Sequence, residues 1–270
     1  VIIPTYNEYL NIEDLINQIF ALEIPFDILV VDDDSPDGTG EVVKKLQEQF
    51  SGLHLITREG KHGLGTAYIR GFQWALQRDY QYIFQMDADF SHNPRDLIRL
   101  YLTCAEEGYD LCIGSRYITG VNVVNWPVGR VLLSYGASIY VRFITSLPIM
   151  DTTAGFKCYR RSVLESIDLS KIKFVGYAFQ IEMTFATWKQ GFKIKEIPIV
   201  FTDRTKGESK LSKGIFKEAV FGVAKMKVRG WLGRYAPLIK PDRLNGTDTG
   251  NDAGRQKQYQ TYNQESQQVE

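Results

Sequence analysis

Two aspartates, Asp87 and Asp89, are separated by one residue and follow an apolar run at residues 82–84. Such a run is typical of a buried strand, so both carboxylates would stand at its carboxyl end. Ligands of open α/β sheets gather at that edge, where hard divalent cations prefer carboxylate oxygens together with water and phosphate. An isolated pair of this kind also occurs in ordinary turns. The pair therefore indicates a site for a divalent cation and phosphates only if the rest of the chain supplies suitable surroundings.

Other strand-like segments deliver polar residues to loops in the same way. Residues 1–3 lead into Pro4-Thr5-Tyr6-Asn7-Glu8, residues 26–31 end at three consecutive aspartates (32–34), and residues 53–56 precede Gly63-Leu64-Gly65-Thr66. Helix-like segments alternate with these strands at residues 11–21, 41–50, 64–78 and 94–107. This alternation predicts an α/β fold around a mostly parallel, covered sheet, with three polar loops converging on one edge.

Six blocks of the sequence, spread over about residues 1–215, resemble those of one known family. They are Pro4-Thr5-Tyr6-Asn7-Glu8, Asp32-Asp33-Asp34-Ser35-Pro36-Asp37-Gly38-Thr39, Gly63-Leu64-Gly65-Thr66-Ala67, Met86-Asp87-Ala88-Asp89-Phe90-Ser91-His92, Gly114-Ser115-Arg116-Tyr117 and Gly207-Glu208-Ser209-Lys210. The chain resembles glycosyltransferase family 2, and within it the dolichyl-phosphate (polyprenol-phosphate) mannosyltransferases. The resemblance implies a GT-A, Rossmann-like nucleotide-sugar-binding domain.

The same resemblance implies an activity: inverting transfer of mannose from GDP-mannose to a polyprenyl or dolichyl monophosphate. One alternative is the same chemistry with another donor, such as UDP-glucose. A second alternative is a non-catalytic module that binds a nucleotide sugar and recruits a partner. Five charged residues argue against the second alternative, because a silent module has no need for all five: Asp87, Asp89, Arg116, Arg204 and Lys210.

The resemblance also assigns residues to the donor. Those expected to contact it are Pro4, Tyr6, Glu8, Val31, Asp33, Asp87, Ala88, Asp89, Arg204 and Lys210. Asp89 is the expected direct ligand of Mg²⁺ or Mn²⁺, and Asp87 helps to hold the metal. Ser91 stands where some relatives carry a glutamine ligand, and a hydroxyl is a weaker ligand. Asp32 is expected to cap or brace its loop instead.

The acceptor site should be basic, because the nucleophile is itself a phosphate. The resemblance assigns the lipid phosphate to Arg116, Arg130 and Ser134, the last two being four residues apart on one helical face. Asp89, Arg116 and Arg130 are the expected catalytic residues. An anionic acceptor is already deprotonated, so no dedicated general base is required.

The composition of the chain limits the classes of protein to which it can belong. A chain of 270 residues with 44% hydrophobic residues can bury one large α/β core, and its 32 basic and 32 acidic residues give no field that favours nucleic acid. The three cysteines form no close metal-binding pair, which favours a reducing, cytoplasmic compartment. The chain opens on a strand, without the charged and apolar regions of a secretion signal.

Two segments raise the question of a membrane. Arg130 and Arg142 interrupt the apolar stretch at residues 128–148 before it reaches the ~20 residues of a span. Residues 214–232 are amphipathic and basic, which fits either a helix packed on the domain or one resting on lipid headgroups. We expect peripheral attachment at the cytosolic face of a membrane, with a separate small membrane subunit as the alternative anchor. The expected division is a catalytic domain (1–213), this helix (214–240) and a disordered polar tail (241–270).

Overall fold

The computed structural model describes residues 1–176, 178–204 and 214–238, and for residues 214–221 it describes the backbone alone. The Gly207-Glu208-Ser209-Lys210 block and the polar tail at 241–270 lie outside these residues. Their assignments therefore remain predictions from the sequence.

Strands and helices alternate through most of the described chain. The strands are β1 (Ile2–Thr5), β2 (Ile28–Asp32), β3 (Leu53–Thr57), β4 (Tyr82–Gln85), β5 (Leu111–Ser115), β6 (Val123–Val124), β7 (Lys157–Arg160), β8 (Ile194–Pro198) and β9 (Phe201–Thr202). The helices are α1 (Tyr9–Phe20), α2 (Thr39–Leu46), α3 (Leu64–Leu76), α4 (Asp96–Ala105), α5 (Val128–Thr145), α6 (Arg161–Ser166), α7 (Ala178–Lys189) and α8 (Gly214–Trp231), with one 3₁₀ turn at Leu169–Lys171.

Seven strands form the central sheet, in the order β3-β2-β1-β4-β7-β5-β8. Neighbouring strands are parallel except where β7 runs antiparallel between β4 and β5. Strands β6 and β9 pair separately as a short parallel ribbon. The predicted α/β fold with a mostly parallel sheet is confirmed, and β7 is the antiparallel exception.

Adjacent residues of the strands point to opposite faces of the sheet, so each strand contributes to two cores. Ile2 and Val31 pack on the face covered by α3, α6, α7 and α8, whereas Ile3 and Val30 pack on the face covered by α1, α2 and α4. All five residues of β2 are buried. Coverage on both faces explains why the strands read as continuous apolar runs rather than alternating ones.

Helix α8 packs on the domain through one face and exposes the other. Val223 and Met226 are buried in the core, whereas Val228 and Trp231 are exposed. The packed-helix interpretation therefore holds for one face of this segment. Among the described residues, none of the helices combines the length and hydropathy needed to cross a bilayer.

Gly71 lies where α3 approaches the sheet closely. A Cβ atom at this position would lie 2.5 Å from Cγ2 of Ile2, which is 2% exposed and branched at Cβ. Gly71→Ala should therefore lower the free energy of unfolding by about 1–3 kcal/mol through overpacking. Gly136→Ala is the control, because a Cβ there meets nothing within 4 Å, and alanine should stabilise α5 by up to about 1 kcal/mol. Urea unfolding measures both, and equal effects would contradict the packing of α3 on β1.

Candidate active site

Three loops follow the carboxyl ends of β1, β2 and β4, which are neighbours in the sheet. Each loop holds one non-glycine residue in the left-handed region: Asn7 (φ 56°), Asp34 (φ 54°) and Phe90 (φ 59°). This conformation is unfavourable for such residues and persists where surrounding contacts fix it. The loops are therefore held in defined shapes at the edge where the sequence predicts the site.

Asp32 joins the first two loops. Its carboxylate accepts hydrogen bonds from Thr5 Oγ1 at 2.7 Å and from Ser35 Oγ at 2.6 Å, and all three residues are buried. The prediction that Asp32 braces its loop is confirmed. Asp37 adds a second connection by accepting from the backbone N–H groups of Tyr9 and Thr39, both at 3.0 Å. The Ser-Pro-Asp-Gly-Thr block thus fixes two helix N-termini side by side.

Two carboxylates expected at the donor site have partners in the protein. Glu8 is 8% exposed and accepts a hydrogen bond from Asn11 Nδ2 at 3.0 Å. Asp33 accepts from Arg58 Nε at 2.7 Å, and Arg58 also donates to Thr66 at 2.8 Å. Burial raises the pKa of Asp33, and the Arg58 guanidinium opposes that rise.

The four uncharged residues predicted for the donor site are either partly buried at the end of β1 or buried in the cores. Pro4 and Tyr6 are partly buried at the end of β1, and the Lys61 ammonium lies 4.7 Å from the centre of the Tyr6 ring. Val31 and Ala88 are buried in the two cores. The contacts predicted for these four residues with a donor stay predictions.

Asp87 and Asp89 lie together in the loop after β4. Asp89 is 8% exposed, accepts from Ser91 Oγ at 2.5 Å and forms an ion pair with Arg204 at 2.8 Å. Asp87 accepts from the Tyr68 hydroxyl at 3.3 Å. Burial and the neighbouring Asp89 carboxylate raise the pKa of Asp87 to about 7. Two carboxylates in this environment are stabilised by added positive charge.

This donor set fits a hard divalent cation, because it offers two neighbouring carboxylates, of which Asp87 is partly exposed. No cluster of three acidic, histidine or cysteine side chains suited to a metal occurs among the described residues. The protein would therefore supply two carboxylates, with the other ligands coming from water and phosphate. The Ser91 hydroxyl donates to Asp89 and so supports that carboxylate, and its role as a metal ligand stays a prediction.

Arg116 is held by a buried aspartate. Its Nε and Nη2 atoms donate to Asp151 at 2.7 and 2.6 Å, and Nη2 also donates to Thr153 at 2.7 Å. Asp151 is 0% exposed, and Arg116 lowers its pKa although burial acts in the opposite direction. A bidentate pair in this geometry fixes the guanidinium in one orientation.

Arg130 and Ser134 lie close to Arg116, as predicted. The Trp126 ring lies 4.1 Å from Cζ of Arg130 and 5.5 Å from Cζ of Arg116. Tyr117, the residue after Arg116, donates from its hydroxyl to Ser134 Oγ at 2.8 Å. The structure therefore brings the three residues predicted for the acceptor phosphate into one region.

Asp203 and Arg204 connect the acidic and basic regions. Asp203 accepts from Arg130 Nη1 at 2.8 and 2.9 Å, and its neighbour Arg204 pairs with Asp89. Consecutive residues thus bind an arginine predicted for the acceptor and a carboxylate predicted for the metal. Lys210, the other predicted cation, lies outside the described residues.

Several residues that shape the site were missed from the sequence: Arg58, Tyr68, Trp126, Asp151, Thr153 and Asp203. They act as partners of predicted residues and carry no motif of their own. One general rule could have predicted that such partners exist, because a buried charge requires a counter-charge. The rule applies to Arg116 and to Asp33.

Comparison with known proteins identifies the family. Residues 1–168 match the family model described as Glycosyl transferase family 2. The chain belongs to glycosyl transferase family 2. This glycosyltransferase is 45% identical over 241 residues to polyprenol monophosphomannose synthase of Mycolicibacterium smegmatis, covering 89% of the chain and 91% of that protein. It is 43% identical over 238 residues to undecaprenyl-phosphate mannosyltransferase of Micrococcus luteus, covering 88% and 97%.

A more distant relative and two solved structures agree with this placement. The glycosyltransferase is 38% identical to the dolichol-phosphate mannosyltransferase of Pyrococcus furiosus over 89% of the chain and 66% of that protein. Its fold matches mannosyl-3-phosphoglycerate synthase from Rubrobacter xylanophilus (TM-score 0.59, 17% identity, 84% of this chain and 72% of that one). It also matches a mannosyltransferase from Pyrobaculum calidifontis solved with GDP-Man and Mn²⁺ (TM-score 0.52, 16% identity, 91% and 77%). At these identities the structures support the GT-A-like fold alone.

The pairing of Arg116 with Asp151 gives a prediction for stability. Asp151→Asn leaves the buried guanidinium without its counter-charge, so the free energy of unfolding should fall by about 3–5 kcal/mol. Asp168→Asn is the matched control, since Asp168 pairs with the largely exposed Lys171 and this change should cost less than about 1 kcal/mol. Denaturant unfolding measures both variants. Similar losses in the two would show that the Arg116 pair is not a structural anchor.

Proposed function

We propose that this glycosyltransferase transfers mannose from GDP-mannose to a polyprenyl or dolichyl monophosphate, giving a mannosyl phosphate lipid. The observation that carries the proposal is the relationship to the two proteins at 45% and 43% identity. Both are named for mannosyl transfer to a polyprenyl phosphate, and this chain covers 91% and 97% of their lengths. The adjacent acidic and basic regions of the site support the same assignment.

The reaction is a displacement at the anomeric carbon of mannose. An oxygen of the acceptor phosphate attacks that carbon from the side opposite the diphosphate, and the bond to the GDP oxygen breaks with its electron pair. The acceptor carries no proton that must be removed, so catalysis rests on alignment and on stabilising the charge of the leaving group. Inversion converts the α-linked donor into a β-linked product.

Each region of the site has one task in this proposal. Arg116, Arg130 and Ser134 bind the acceptor phosphate, whereas Arg204 and Lys210 bind the donor diphosphate. Asp87 and Asp89, with Ser91, would hold Mg²⁺ or Mn²⁺. The metal would offset the negative charge of the departing diphosphate. Glu8 and Asp33 would accept hydrogen bonds from the nucleoside.

The direct test is transfer of radiolabelled sugar to a short polyprenyl phosphate. GDP-mannose and UDP-glucose are compared as donors, each with Mg²⁺ and with Mn²⁺. Product formed only from GDP-mannose supports the proposal. Product formed only from UDP-glucose would show that UDP-glucose is the donor. Binding of a nucleotide sugar without any product would favour the non-catalytic alternative.

Asp89→Asn tests the metal assignment. Changes to residues that only support metal ligands commonly cost 10- to 100-fold, so loss of a direct ligand should lower kcat/KM by at least about 100-fold. The fold should persist although the ion pair with Arg204 is lost, because asparagine has the size of aspartate, can still accept from Ser91, and no longer repels the Asp87 carboxylate. Asp14→Asn, at an exposed position of α1, is the control and should leave activity unchanged. Wild-type turnover of Asp89→Asn across Mg²⁺ and Mn²⁺ concentrations would rule out the assignment.

The lipid acceptor also requires a route to the membrane. Helices α5 and α8 adjoin, with Lys227 Nζ 3.3 Å from Ser146 Oγ, the residue that follows α5. Both helices, with Leu232 just after α8, carry large apolar side chains that are between 48% and 85% exposed, and we propose that these form one apolar face: Val128, Leu132, Ile139, Phe143, Val228, Trp231 and Leu232. The four α5 members fall within an arc of about 60° on the helix, opposite its buried side. Lys225 and Lys227 are exposed on α8, and Arg142 is partly exposed on α5.

An apolar face with basic neighbours suits the interface of an anionic bilayer. The enzyme would rest on the membrane through this face, at the cytosolic side, with Arg130 and Ser134 on the inner side of α5. Lipid is the occupant that the proposed acceptor requires. A separate membrane subunit is the alternative, and the following measurement distinguishes the two.

Lys225→Gln combined with Lys227→Gln should weaken binding to anionic phospholipid vesicles by about tenfold or more, because each lysine near the surface contributes about 1 kcal/mol. Transfer to a short, water-soluble prenyl phosphate should change much less. The control pair, Lys44→Gln with Lys45→Gln, neutralises exposed lysines on α2 and should leave vesicle binding unchanged. Sedimentation with vesicles at low and high salt provides the measurement. Absence of wild-type binding at any salt would favour the membrane subunit.

A further inference from the structure

Gln180, the third residue of α7, has a buried side-chain amide whose oxygen is hydrogen-bonded and whose nitrogen is not, within the described residues. The residue is 1% exposed, and its Nε2 atom has no hydrogen-bond partner within the part of the chain that the structure describes. An amide nitrogen carries two hydrogens, and burying it without an acceptor is unfavourable. Such a group calls for an explanation by an unseen partner.

The orientation of this amide is fixed by Lys157. The buried Lys157 Nζ donates to Gln180 Oε1 at 2.9 Å, to the Gln180 backbone carbonyl at 2.8 Å and to Thr184 Oγ1 at 2.9 Å. The amide oxygen accepts this hydrogen bond, so the oxygen and not the nitrogen of the amide faces Lys157. The amide nitrogen therefore faces the other way.

On that other side lies Gly155, beside the aspartate loop. In the antiparallel pairing of β4 with β7, Gln85 is opposite Lys157, so extending the register by two residues places Gly155 opposite Asp87. A Cβ atom on Gly155 would lie 3.6 Å from Gln180 Nε2 and 3.6 Å from Asp87 Oδ2. Because residue 155 is glycine, a gap remains between Gln180 Nε2, a donor, and Asp87 Oδ2, an acceptor. These two atoms are separated by no more than twice 3.6 Å.

A group that fills this gap must accept from the amide and donate to, or avoid, the carboxylate. A hydroxyl meets this requirement, whereas a phosphate oxygen only accepts and cannot donate to Asp87. We propose that Gln180 and Gly155 form a subsite for a hydroxyl group of the hexose on the nucleotide donor, with Gln180 Nε2 donating to the hydroxyl oxygen. The inference rests on the proposed function only in taking a sugar nucleotide as the donor.

The test compares binding of GDP-mannose with binding of GDP, both with Mg²⁺, by titration calorimetry. The ratio of the two affinities isolates the sugar, since nucleotide and metal are common to both. Gln180→Met removes the amide at similar volume, and Gly155→Ala fills the gap with a methyl group at ordinary contact distance. Each variant should weaken GDP-mannose binding by about threefold to tenfold and change GDP binding less than twofold.

Gln190→Met is the matched control. Gln190 is another buried glutamine and follows α7, but its Nε2 donates to the carbonyls of Ser166 and Tyr235. This change should lower the melting temperature and leave the affinity ratio at the wild-type value. Equal weakening of GDP and GDP-mannose by Gln180→Met would overturn the inference, because Gln180 would then act on Asp87 or the diphosphate. An unchanged ratio in both site variants would also overturn it.

GDP-linked monodeoxy sugars provide a second readout. One of these analogues lacks the hydroxyl that Gln180 contacts, and this analogue should bind equally well to the wild type and to Gln180→Met. If every analogue binds less well to Gln180→Met than to the wild type, the subsite is contradicted. If the wild type binds UDP-glucose instead of GDP-mannose, the donor in the proposed function is wrong. The ratio of affinities is then measured with UDP-glucose and UDP. An error in the proposed donor can therefore be distinguished from an error in the proposed hydroxyl subsite.

Discussion

Charge pairing at the edge of the sheet is the constraint on which the rest of the site depends. Four arginine–aspartate pairs surround the site in the described chain, joining Arg58 to Asp33, Arg116 to Asp151, Arg130 to Asp203 and Arg204 to Asp89. Buried charges persist only when they are paired and hydrogen-bonded. A metal cation that binds Asp89, or a substrate anion that binds one of these arginines, must therefore compete with the partner that the residue already has.

The four pairs differ in how readily they can exchange partners. Asp151 is 0% exposed and binds Arg116 through several hydrogen bonds, so that pair acts as a fixed part of the fold. The side chains of Arg130 and Asp203 are 32% and 26% exposed, so their ion pair is partly screened by solvent. Arg116 thus provides a preset positive charge, while Arg130 has the freedom to reach a ligand.

The alternation of strands and helices could be predicted from the sequence because apolar runs and loop residues give strong local signals. The loops of β1, β2 and β4 lie together as expected, since parallel neighbouring strands end at one edge. The partners of the site residues could not be predicted in this way. Asp151 is 35 residues from Arg116, Asp203 is 73 residues from Arg130, and neither belongs to a recognisable block. Strands β5, β7 and β8 of the central sheet were missed for a related reason, since pairing between distant segments leaves little local pattern.

The position of β7 has a consequence for how the chain folds. Residues 1–85 contain the strands β3, β2, β1 and β4, which can pair as they emerge during synthesis. Strand β5 follows in the sequence but has no neighbour until β7, made about 40 residues later, inserts between it and β4. Until then one edge of β4 and both edges of β5 are unpaired, a state that favours association with other chains. The stretch from Asp151 to Lys157, which anchors Arg116 and lies beside Asp87, is therefore the segment that joins β5 to the first four strands, before β8, Asp203 and Arg204 complete this edge of the sheet.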